Sequence, residues 1–235
     1  MSPSRSHREP HKSREERRPI HLAPEGAGPL FQRDYVIVVR DPRVTPDEAV
    51  RMIRADFPSF SPDEWAKFTR PASETGPLEV GHTMHVRMTG AGHFGVEVTD
   101  VEPHSLTLRT LKGHVEAGRI SFGAHCDAGG RLVCRIRSRS RLSGVARYLG
   151  YELLGKHIQT LVWVTFLRRL AERCGGEPIG DVVQSWDRVS ETYADVGALE
   201  RPTFRAHPSG PRDVHPEHDL NPEEREELAA GGRSC

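Results

Sequence analysis

Cysteine is sparse in this chain of 235 residues, and its four copies (Cys126, Cys134, Cys174 and Cys235) include no CxxC pair. That spacing excludes zinc-finger and disulfide-scaffold classes. No stretch approaches 18 consecutive apolar residues, so no membrane-spanning helix is expected. No apolar segment follows the basic residues near the start, which excludes a secretory signal. A cytoplasmic protein with reduced thiols is therefore expected, with a Cys126–Cys134 bridge across a hairpin as the alternative. Aromatic residues make up only 6% and apolar residues 36%, low for a chain that is folded throughout. Net charge is missing as well, with 33 Lys+Arg against 33 Asp+Glu. Without a basic field, nucleic acid is not an expected partner. There is no phosphate loop, dinucleotide fingerprint or nucleophile elbow, and no cofactor is expected.

Charge and proline divide the chain into three. Residues 1–28 are basic and nearly free of large aliphatics, which reads as a disordered arm. Residues 191–235 carry Pro202, Pro208, Pro211, Pro216 and Pro222, then the acidic run Glu223-Glu224-Arg225-Glu226-Glu227, and read as a mostly disordered tail. Residues 29–190 hold the patterned sequence and form the expected domain.

Residues 33–40 (RDYVIVVR) form a β-branched run closed by Asp41-Pro42, a strand signal. Thr45-Pro46-Asp47-Glu48 supplies an N-cap, a proline at the first helical position and acids in the first turn. Ser61-Pro62-Asp63-Glu64 repeats that signal and predicts a second short helix to about Phe68. Five strands are then predicted at 82–89, 93–101, 105–111, 119–126 and 131–140, separated by Gly- and Pro-containing turns. Tight turns join antiparallel neighbours, so these strands form a meander. From Ser143 to Cys174 the period becomes helical, with an apolar stripe of Val145, Leu149, Leu153, Leu154, Ile158, Leu161, Val162 and Thr165 and a stop at Gly175-Gly176. Gly150 or Gly155 marks the expected bend. Residues 182–186 form a last short element of either type.

The predicted class is α+β: a curved antiparallel sheet wrapped around a long C-terminal helix, with two short helices after the first strand. This order resembles the helix-grip fold of the Bet v 1-like and START-like superfamily, in which sheet and helix enclose an elongated cavity. A closer resemblance rests on two segments. One is Thr110-Leu111-Lys112-Gly113-His114-Val115-Glu116-Ala117-Gly118 with Ile120 and Phe122. The other is Gln159-Thr160-Leu161-Val162-Trp163, with Leu167-Arg168-Arg169-Leu170-Ala171 and Cys174-Gly175-Gly176 behind it. Both are similar to a family known only as domain of unknown function 1990, over about residues 30–190. The resemblance implies the same fold and no reaction.

His114 and Glu116 are the candidate acid–base pair, with Glu116 orienting or deprotonating His114; the alternative has both capping backbone groups in a long hairpin. Gln159 and Trp163 share one helix face and offer an amide and an indole to a cavity, or simply pack against the sheet. Met84, Val86, Phe94, Phe122 and Ile136 are the candidate apolar wall. His82 and His85 point to opposite faces of a strand and make no metal site, so no metal is expected. Arg135, Arg137, Arg139 and Arg141 alternate along one strand, where they could bind an anionic ligand or a phosphate; the expected reading is a solvated outer face balanced by acids such as Glu97.

Three functions remain in view. The first is a binding protein holding a small, largely apolar molecule. The second is a cyclase- or lyase-like enzyme using His114 and Glu116, with Tyr35 or Tyr148. The third is a structural module whose tails recruit a protein partner.

Overall fold

The computed structural model describes residues 18–144 and 156–189. Its elements are β1 (Ala27–Arg40), α1 (Pro46–Ala55), α2 (Phe57–Phe60), β2 (Ala66–Thr69), β3 (Thr83–Met88), β4 (Gly92–Glu102), β5 (Ser105–Thr110), β6 (Glu116–Cys126), β7 (Leu132–Leu142), α3 (Lys156–Cys174), β8 (Glu177–Pro178) and β9 (Val183–Val189). They form one curved nine-stranded sheet in the order β2-β3-β4-β5-β6-β7-β1-β8, with β9 also paired to β1. Every pairing is antiparallel. None of the described helices is long and apolar enough to cross a membrane.

The expected capping box at α1 forms in full. Thr45 Oγ1 accepts the Glu48 amide at 3.3 Å and Glu48 Oε2 accepts the Thr45 amide at 2.9 Å. Its repeat does not start a helix. Residues 62–65 make one turn, Ser61 Oγ donates to the Ala66 carbonyl at 2.6 Å, and the chain becomes β2. Ala66 and Phe68 point inward while Lys67 and Thr69 point out, so pairing with β3 outweighs the local cap signal. The second short helix is instead the single turn at Phe57–Phe60.

One face of the sheet packs on the three helices. The scarce aromatics are concentrated there: Phe57, Phe60, Phe68, Phe122, Trp163 and Phe166 meet with ring centroids 5.0–6.4 Å apart, mostly edge-on or tilted. The buried stripe of α3 runs through Gln159, Val162, Trp163, Phe166, Leu167, Leu170, Ala171 and Cys174. Leu161, predicted inside, is 46% exposed, because the Gln159–Trp163 face turns to the sheet. The predicted first half of this helix, with Val145, Leu149, Leu153, Leu154 and both candidate bend glycines, lies outside the described residues. So does Tyr148. Gly176 sets the helix stop: at φ +81 its position leaves a Cβ only 2.3 Å from the Arg40 carbonyl oxygen. Beyond it the element at 182–186 is strand β9.

The hairpin register pairs Cys126 with Leu132 and Cys134 with Ala124, so these two cysteines are not bridged. Cys134 and Cys174 are free and buried in the core. Their mutual hydrogen bond, followed by burial, holds the Cys134 thiol well above the ordinary range. Cys126 is disulfide-bonded, against the expectation of reduced thiols throughout.

The arginine stripe of β7 alternates as expected, and Arg139 and Arg141 keep part of their surface open, but the other two are not solvated. Arg135 and Arg137 are 7% and 5% exposed and both donate through Nε to Asp34 Oδ1 of β1, at 2.9 and 2.6 Å. Gln32 continues the relay, accepting from Arg139 Nε at 2.7 Å and donating to Asp34 Oδ2 at 3.0 Å. A buried carboxylate between two guanidiniums leaves uncompensated charge when removed. Asp34→Ala should therefore lose about 3–5 kcal/mol in urea unfolding.

Tyr35, on the helix-facing side of β1, has its hydroxyl pKa raised by burial against a lowering hydrogen bond with Thr160. The folded state thus holds the phenol proton more tightly than the unfolded chain. That contribution is complete below pH 10.0, the unperturbed value, and is lost as pH rises beyond it. Unfolding measured from pH 8 upward should show a falling limb above pH about 10 that is shallower in Tyr35→Phe.

Candidate ligand-binding cavity

Residues 110–118 join β5 to β6 through a turn held by named side chains. The Thr110 hydroxyl accepts the Gly118 amide at 3.0 Å and lies 3.2 Å from the His21 carbonyl, drawing the two ends of the turn together. The His114 amide donates to the Leu111 carbonyl at 3.0 Å. His114 Nδ1 accepts the Glu116 amide at 3.0 Å, which places the proton of the neutral ring on Nε2. The His114 ring lies 4.9 Å from that of Phe94. Gly118 is required by space: a Cβ there would stand 2.2 Å from the Arg139 carbonyl oxygen and 2.8 Å from the Ser140 Cα. These contacts account for most of the motif, each residue type answering a specific backbone need.

Glu116 projects from this turn into the interior and joins three elements. Its Oε1 accepts from Arg33 Nη1 of β1 at 3.0 Å and its Oε2 from Gln159 Nε2 of α3 at 3.0 Å. Arg33 also reaches Ser140 Oγ of β7 at 3.3 Å. The two segments that carry the family resemblance thus meet at one buried carboxylate. Charge-assisted hydrogen bonds of this kind compensate the cost of taking the ions out of water.

Beside this carboxylate lies a cavity of about 70 Å³ between the sheet and α3. Phe68, Val86, Met88, Val96, Leu108 and Val162 make its apolar wall, and His114, Glu116, Ser138, Ser140, Gln159 and Trp163 its polar end. Of the residues predicted for a site, Val86, His114, Glu116, Gln159 and Trp163 are therefore together. Met84 and Phe94 border a second hollow of about 340 Å³ with Thr83, His85, His93 and Glu97. Phe122 and Ile136 are fully buried and border neither. Sequence reading missed Arg33 and the two serines: Ser138 and Ser140 alternate with the arginines of β7 and so face the helix, a signal present in the period itself.

Two polar groups at the cavity stand out. Trp163 Nε1 and Ser138 Oγ are buried with no hydrogen-bond partner among the described residues. An orphaned buried donor costs about 1–3 kcal/mol, so each favours an occupant able to satisfy it. The volume is several times the roughly 10–15 Å³ one water needs and far below the roughly 300–1,000 Å³ of drug-sized sites. Among the described residues no three His, Cys, Asp or Glu side chains are grouped to hold a metal ion.

The family description "Domain of unknown function (DUF1990)" matches residues 40–173. A comparison with curated proteins finds no match. Among solved structures, the chain is similar to major latex-like protein 151 from Panax ginseng at 14% identity, over 63% of this chain and 99% of that one, with a TM-score of 0.40. It is also similar to protein CV1439 from Chromobacterium violaceum at 13% identity, over 63% and 98%, with a TM-score of 0.39.

Gly118→Ala should force β6 and β7 apart where they meet Glu116 and Arg33. A loss of at least about 3 kcal/mol in chemical unfolding is expected.

Proposed function

The chain belongs to the DUF1990 family, and from that premise we propose that it is a binding protein holding a compact, largely apolar molecule between the curved sheet and α3. The observation that carries this reading is the pair of unpartnered buried groups, Trp163 Nε1 and Ser138 Oγ, on an otherwise mostly apolar cavity. They ask for an occupant with an apolar body and one hydrogen-bond acceptor, a carbonyl or ether oxygen. The volume limits its size to a few heavy atoms in the geometry described. Residues 29–190 form the binding unit in this reading, a helix-grip domain of the Bet v 1-like and START-like kind, acting in the cytoplasm.

A second reading makes the same cavity an active site, since both His114 and Glu116 border it. Against acid–base chemistry stands the use already made of both groups. The Glu116 oxygens are held by Arg33 and Gln159, and His114 Nδ1 is engaged by the Glu116 amide. A carboxylate between a guanidinium and an amide is a poor proton acceptor, which favours binding over turnover.

The test uses a Trp65→Phe, Trp186→Phe background, in which Trp163 is the remaining tryptophan. Titration with short cyclic ketones and their parent alkanes should shift its emission and raise the melting temperature, the ketones binding about fivefold more tightly. Wild-type protein should show the same preference in melting temperature, and Trp163→Phe should lose it. A panel that moves neither emission nor melting temperature would sink the reading.

A further inference from the structure

An open sheet has two edges, and the two edges of this one are unlike. The β2 edge is four residues long and leaves Lys67 and Thr69 exposed. A short edge bearing lysine resists pairing with a foreign strand. The opposite edge is shared by β8 and β9 along β1. β8 is two residues and includes Pro178, which has no amide proton to offer. β9 is seven residues, holds neither proline nor lysine, and pairs with β1 through its whole length. Among the described residues no strand pairs with its other side. The backbone donors and acceptors on that side form an open template about 24 Å long, at about 3.4 Å per residue.

The side chains of β9 suit a contact better than a solvated margin. Trp186 is 68% exposed, the most open large apolar side chain among the described residues, and Val183 is 46% exposed. The Trp186 ring meets Phe31 edge-on with centroids 6.0 Å apart, which fixes the indole at the sheet margin. Exposed tryptophan is the residue type that most often anchors a protein interface.

We propose that β9 is a docking edge whose occupant is β9 of a second copy, paired antiparallel about a two-fold axis at Trp186. Self-complementarity selects this register. An axis at Trp186 sets Val183 opposite Val189, Gln184 opposite Arg188 and Ser185 opposite Asp187, with the two indoles together at the centre. All seven residues of the strand are then matched, and no like charges stand directly opposite. An axis at Asp187 or Arg188 would face that charge with its own copy. An axis at Ser185 would leave Arg188 and Val189 beyond the end of the other strand. Centred on Trp186, Arg188 lies diagonal to the partner's Trp186, where a guanidinium can cover the indole. The contact is isologous and closes with two copies. An interface built on one strand edge is small, so dimer and monomer exchange with concentration.

The test is analytical ultracentrifugation of the full chain. The native protein should pass from monomer to dimer as its concentration rises through the micromolar range. Trp186→Lys and Trp186→Glu each bring like charges together at the axis and should weaken association at least about tenfold. Mixed in equal amounts, the two variants set opposite charges against each other at that point and should dimerise again. A contact elsewhere on the surface would not answer to this mixing. Val80→Lys alters a side chain 63% exposed and away from β9, and should leave association unchanged. Circular dichroism melting verifies that the variants stay folded. Where a charged variant does not, Trp186→Thr, uncharged and suited to a strand, repeats the comparison with the native chain. A native chain that stays monomeric would overturn the proposal and leave the edge to a strand from another protein. A dimer that Trp186→Lys leaves intact, or a mixture that associates no better than its parts, would overturn it as well.

Discussion

The structure depends on one buried carboxylate. Glu116 is the point at which β1, the β5–β6 turn and α3 are held to each other, through Arg33 and Gln159. Apolar packing is indifferent to small rotations of a helix on a sheet; a hydrogen-bonded ion is not. The aromatic cluster around Phe57, Phe122 and Phe166 supplies cohesion, and the Glu116 node sets the rotation at which α3 presents Trp163 to the sheet. That rotation creates the cavity, because the space beside the node is bounded by the residues which hold it open.

A second feature follows from the balanced composition. With 33 charges of each sign, this chain has no net field, yet arginine is gathered on one sheet face and acid near one end. Asp34 shows how such a face is tolerated locally: one carboxylate accepts from two guanidiniums, and Gln32 hands on a third. Neutrality here is the sum of separated parts, and Asp34 is the part that the described residues place among the arginines.

Much of the fold was legible in local patterns. Turn residues and β-branched runs located β3 to β7 within a few positions, and the box at Thr45–Glu48 started α1 as expected. The errors arose where distant partners decide. Ser61-Pro62-Asp63-Glu64 is as good a cap as Thr45-Pro46-Asp47-Glu48, but only β3, some twenty residues on, turns the following segment into a strand. At the site, His114, Glu116, Gln159 and Trp163 were visible as a motif, while Arg33 was not, since nothing near it indicates a partner 83 positions away. Arg135 and Arg137 illustrate the same limit: period assigned their face correctly, and burial depended on Asp34.

The pairing of β1 with β7 has a consequence for synthesis. Val36 to Val39 find their partners at Leu132 to Arg135, about a hundred residues later. At roughly 5–20 residues per second, the first strand leaves the ribosome some 5–20 s before its neighbour exists. During that interval a run of valines and isoleucine is an unpaired edge, the kind of surface that recruits other nascent chains. Pairing of β1 with β7 is thus a late, non-local event of high contact order, and the first strand waits unpaired until it happens.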